Sequence, residues 1–176
     1  MVTRPHNPAQ LAIMLWSVGG VIALLAQAIV RLLPRALEPL GDGSLTVAAG
    51  LAYVFAIAGM AYSEGYRGFQ QQFSPRVAVR VLHLANNPTP LLVVFAPLYA
   101  MGLIHANRRR LISSWVLLLA IVGLIVLVRM LAQPWRGAID AGVVVGLTWG
   151  ALATVAIFVR ALRGSPPEVD PDLPDD

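Results

Sequence analysis

Five apolar runs separated by short polar links set the pattern of this chain: residues 11–33, 45–63, 88–106, 111–131 and 138–159. The hydrocarbon core of a bilayer takes roughly 20 apolar residues per helix, within about 17 to 25. Each run reaches that range, the third only when it starts at Pro88. The pattern predicts an all-α, polytopic integral membrane helical bundle with five transmembrane helices. Between the second and third runs, Ser74-Pro75 has the form of an N-cap followed by N1. Beyond it, Val77, Val81 and Leu84 share one side of a helix, and Arg76, Arg80 and His83 another. This predicts a short interfacial amphipathic helix over about 74–86, ended by Asn86-Asn87-Pro88.

Turn residues divide the rest. Gly41-Asp42-Gly43-Ser44 predicts a turn with Ser44 capping the second span. Pro97 cannot donate to the carbonyl of Val93, which predicts a kink in the third span. The links at 107–110 and 132–137 are tight and predict antiparallel neighbours. Gly164-Ser165-Pro166-Pro167 and the acidic residues after it have nothing to bury, so 164–176 is expected to be a disordered acidic tail following a single domain at 1–163. Arg4, the run from Leu11 and Ala26-Gln27-Ala28 have the outline of a secretory signal. The apolar run continues past them, so the first span is expected to be retained. No internal repeat supports an inverted-repeat transporter.

Composition sharpens the class. The chain is 57% hydrophobic and 12% charged, against about 25% charged in soluble domains. There is no Cys, which excludes disulfides, thiolate metal sites and Cys nucleophiles. All 13 basic residues are Arg. Together with abundant Ala, Leu, Val and Gly, this is the mark of GC-rich coding and points to a bacterial inner membrane. The Arg residues are scattered over both ends of the spans, which speaks against nucleic acid. With five spans the termini would face opposite sides. Arg31, Arg35, Arg108, Arg109, Arg110, Arg160 and Arg163 would slightly outnumber Arg4, Arg67, Arg76, Arg80 and Arg136, with Arg129 just inside the same side. That predicts an external N-terminus and a cytoplasmic C-terminus.

Three patterns carry candidate function. Ala138, Gly142, Gly146, Gly150 and Thr154 recur every four residues, a small-residue ridge for close helix packing. It serves either a homo-oligomer or partner-subunit seam or a contact within the chain. Glu64, Arg67, Arg129, Arg136 and Asp140 gather, under the five-span arrangement, at one membrane boundary. They form either a polar pocket for a phosphate or carboxylate, or an ion-pair network. Arg108-Arg109-Arg110 is expected to contact anionic lipid, or alternatively an acidic partner such as the chain's own tail.

His83 and His105 would fall at opposite ends of the third span and cannot share a metal or haem within one chain. The Trp residues read as packing or anchoring groups. No HExxH, GxSxG or phosphate-binding glycine loop occurs, so neither an enzyme nor a cofactor is expected. The sequence is thus read as a non-catalytic accessory, assembly or stabilising subunit that packs through the small-residue ridge, with membrane lipids and a second membrane subunit or copy as partners. The rival is a lipid- or quinone-binding protein with a polar interfacial site, and the third reading is a small oligomeric transporter.

Overall fold

A computed structural model describes residues 7–41, 43 and 45–174. It is 81% helical, with no strand among the described residues. Helix α1 runs Pro8–Gly41 and α2 Val47–Met60. A π-helical segment, Ala61–Phe73, leads without a break into α3, Ser74–Asn86. Two five-residue helices follow, α4 (Pro90–Val94) and α5 (Ala96–Ala100). Then come α6, Arg108–Arg129, and α7, Trp135–Leu162.

Four helices are long and apolar enough to cross a membrane: Pro8–Gly41, Val47–Asn86, Arg108–Arg129 and Trp135–Leu162. Two of the expected elements therefore change. The run at 88–106 is not one span, because it breaks at Phe95 and unwinds after Ala100. The segment at 74–86 is not a peripheral helix. It continues the second span, and ten of its residues, Val77, Ala78, Val81 and Leu82 among them, are buried. The α2 cap also differs: Thr46 Oγ1 accepts from the Ala49 N–H at 3.3 Å, while Ser44 lies outside the described residues.

The two ends of the helical bundle are not placed as five spans would place them. Met14, Val18 and Val21 of α1 share one hydrophobic core with Phe158 and Ala161 of α7, together with Val77, Val81 and Leu82 of α3. The start of α1 and the end of α7 thus lie at the same end of the bundle, called here the lower end. At the upper end, Tyr53 Oη donates to the Ala36 carbonyl at 3.0 Å, and Gln133 Nε2 donates to the Arg35 carbonyl and to Glu38. Pro39 lies inside α1 and cannot donate to Arg35, so Gln133 fills a gap the helix itself leaves.

The proline in the third run is compensated in the same way. Pro97 leaves the Val93 carbonyl without its helical donor, and Trp16 Nε1 donates to it at 3.1 Å. Gly20 of α1 lets the Pro97 ring sit against the helix, since a Cβ there would collide with that ring. Broken helix is tolerated at membrane depth where neighbouring groups satisfy the freed backbone. Helix α6 stands apart: only Ser114 and Val128 are buried along its 22 residues.

Candidate functional site

The small-residue ridge is an internal seam. Gly142 faces the α2 backbone so closely that a Cβ would lie 2.7 Å from the Ala56 carbonyl oxygen. Gly146 faces Glu64 and Met60, and Gly150 faces the Phe69 ring. Ala138 is buried, and Thr154 Oγ1 and Ser74 Oγ share a 2.8 Å hydrogen bond. The ridge was expected either to join subunits or to pack within the chain. It does the second, against α2, the π-helical segment and α3.

The five-residue ionisable cluster does not assemble. Arg136 and Asp140 meet one turn apart at 3.7 Å, with Asp140 4% exposed. The pair lies within the first turns of α7 and, among the described residues, ties no second helix to it. Arg129 is exposed at the end of α6. Glu64 and Arg67 are elsewhere, at the middle of the bundle. Of the basic triplet, Arg108 and Arg109 are exposed, while the Arg110 side chain lies over Gly102.

The position of Glu64 and Arg67 follows from the seam. Their segment packs on Gly146 and Trp149 to Gly150, about 17 to 23 Å along an α7 that is about 42 Å long. Gly65 and Phe69 point into α7. The residues turned away from α7, Ser63, Tyr66, Arg67, Gln71 and Gln72, are exposed, and so is Glu64, although its Cβ borders Gly146. No ion pair involves Glu64 or Arg67 among the described residues. A polar face thus sits at mid-height of α7, on a bundle that exposes large apolar side chains such as Leu51, Val54 and Phe55 of α2 and Leu117, Leu119 and Val126 of α6. Extended π-helix is rare, and π geometry is frequent at functional sites. Here it runs for 13 residues and carries the whole face.

Beside this face a groove of about 720 Å³ runs along α7. Tyr66, Gln70, Gln71, Thr148 and Trp149 line its upper part, and Leu152, Ala156, Ile157 and Arg160 its lower part. Trp149 Nε1 donates to Gln70 Oε1 at 2.8 Å, which fixes the indole between helix and groove. Stacking of Tyr62 on Tyr66, with centroids 6.1 Å apart, borders the face.

Sequence reasoning missed the lower end. Arg80 was expected at the headgroups, yet it is 1% exposed. Its Nε donates to the Tyr99 carbonyl at 2.6 Å, Nη1 to that of Pro171 at 2.6 Å, and Nη2 to those of Ile104 and His105 at 3.0 and 2.9 Å. The guanidinium also lies 4.2 Å from the centre of the Tyr99 ring. Where composition gave residues 164–176 no reason to order, residues 165–174 are without helix but held. Arg76 pairs with Asp172 at 3.3 Å, the Asn107 N–H donates to the Asp172 carbonyl at 2.9 Å, and Leu173 packs by Leu84 and Tyr99. His83, on the helical turn after Arg80, and His105 fall at this same end rather than opposite ends. Among the described residues no three His, Asp or Glu side chains gather as metal ligands. The one sequence signal for Arg80 was indirect. A segment interrupted by Pro97 and Gly102 exposes carbonyls that need a donor, and Gly102 indeed takes a positive φ.

Comparison with protein-family models, curated proteins and solved structures gave no match to this chain.

Proposed function

We propose that this chain is a non-catalytic accessory or assembly subunit of an integral membrane complex, docking through the polar face of the π-helical segment rather than through the small-residue ridge. One observation carries the reading. Glu64 and Arg67 are exposed and unpaired at mid-height of α7, where an isolated chain would put them in hydrocarbon. On insertion scales a charge at the bilayer centre costs roughly 2.5 to 3.5 kcal/mol, so a polar surface there calls for a polar partner. The sparse packing of α6 supports the same reading, since a helix left so open has surface to spare for a neighbour.

Native mass spectrometry from mild detergent tests it. The expected result is a species heavier than one 18.8 kDa chain, reduced to a folded monomer by Arg67→Leu. A monomer for both proteins overturns the proposal. The groove ending at Arg160 favours a second reading, a site for an anionic lipid or a quinone. A monomer retaining one such molecule after bulk lipid is stripped would point there.

We place the protein in a bacterial inner membrane with four crossings in place of five. Among the described residues seven arginines lie toward the lower end (Arg76, Arg80, Arg108, Arg109, Arg110, Arg160 and Arg163) and four toward the upper (Arg31, Arg35, Arg129 and Arg136), with Arg67 between. The positive-inside rule then puts the lower end, with the start of α1 and the end of α7, in the cytoplasm. Because the chain has no Cys, single cysteines at Asn7 and Ser165 report this cleanly. Both should resist an impermeant maleimide in intact cells and react after permeabilisation. Labelling of only one in intact cells would restore an odd number of crossings.

A further inference from the structure

We infer that the partner on the polar face is a second copy of this chain, related by a two-fold axis along the membrane normal; this rests on the assembly reading above. The face has one acid, Glu64, and one base, Arg67, three residues apart, with the amides of Gln71 and Gln72 beside them. Such a surface is self-complementary: its charges cancel, and each amide both donates and accepts. A two-fold interface requires that the same patch serve both copies.

The geometry suits two parallel helices. Gly65 and Phe69 are turned toward α7, so Arg67, two residues from each, lies on the far side, and an axis running between Arg67 and Glu64 leaves one on each flank. Glu64 lies on the shoulder of the segment, its carboxylate 3.7 Å from where a Gly68 Cβ would stand. Across a parallel two-fold, one shoulder meets the opposite shoulder of the other copy, as flanking charges do in coiled coils. Glu64 of each copy then faces Arg67 of the other, giving two equivalent ion pairs away from water. A partner offering only acids or only bases would satisfy one of these residues and repel the other. Small residues assist the approach, with Ser63 and Gly68 next to the charges.

Charge exchange in liposomes tests the proposal, with cross-linking through a Gln71→Cys cysteine as the readout. The cysteine variant should cross-link to a dimer. Glu64→Arg and Arg67→Glu, each alone, should reduce cross-linking tenfold or more, since each sets like charges against one another. Mixed together, these two variants should recover dimer to within about threefold of the parent, because each supplies what the other lacks. Both residues are exposed, and recovery on mixing itself shows that the single variants are folded. Cross-linking that survives both reversals, or fails to return on mixing, overturns the two-fold pairing. A chain that is monomeric alone in liposomes, yet part of a heavier complex when taken from its native membrane, overturns the second copy while leaving the assembly reading in place. Monomers in both settings remove both.

Discussion

Arg80→Met is expected to be among the most damaging single substitutions in this protein, costing about 4 kcal/mol or more, in the range reserved for loss of a buried polar network. Methionine keeps much of the stem and removes the donors. The carbonyls of Tyr99, Ile104, His105 and Pro171 then lose their partner together, and each buried acceptor left unmade costs about 1 to 3 kcal/mol before relaxation. The loss also has a specific location. Three of those carbonyls belong to the segment that breaks the third apolar run, and the fourth to the tail. We therefore expect residues 165–174 to become protease-accessible in Arg80→Met and the midpoint of thermal unfolding in detergent to fall by well over 10 °C. Arg80→Lys keeps the charge but replaces a planar fork with a single nitrogen, and should recover only part of the loss. Equal melting of Arg80→Lys and the parent protein would show that charge, not the fork, holds this end.

The same residue shows where the sequence stopped being legible. Arg76, Arg80 and His83 do share a helix side, which is how an interfacial helix looks. What periodicity could not supply was the environment of that side: irregular backbone rich in unmet carbonyls, which is as good a solvent for an arginine as headgroups are. The apolar runs at 11–33, 111–131 and 138–159 were legible because length and hydropathy alone define a span. The run at 88–106 has the length and is nonetheless two short helices, because Pro97 and Gly102 interrupt its hydrogen bonding and Trp16 and Arg80 make the interruption tolerable. Between 61 and 73 the error ran the other way. Glu64, Arg67 and three glutamines look like a helix running on into the headgroup boundary, yet the segment stays at mid-height of α7, held on its inner side by Gly65 and Phe69. The small-residue ridge was legible as a packing surface, since spacing reveals a face. Spacing does not reveal what the face meets.

Gly142→Ala tests that last point, and it should destabilise by about 1 to 3 kcal/mol, the usual range for overpacking. Alanine ordinarily helps a helix by about 1 kcal/mol relative to glycine, so the expected sign runs against propensity. The cause is the partner. At Gly142 the added methyl would lie 2.7 Å from the Ala56 carbonyl oxygen and 2.9 Å from its carbon, and a backbone cannot turn aside as a side chain can. At Gly150 the obstacle is the Phe69 ring, which can rotate at some cost, so Gly150→Ala should be milder. At Gly123 of α6 nothing lies within 4 Å of the Cβ position, and Gly123→Ala should be neutral or slightly stabilising. Thermal unfolding of the three variants in one detergent ranks them. If Gly142→Ala instead melts with the parent protein while its oligomeric state changes, the ridge faces another subunit, and the pairing of α7 with α2 described here is wrong.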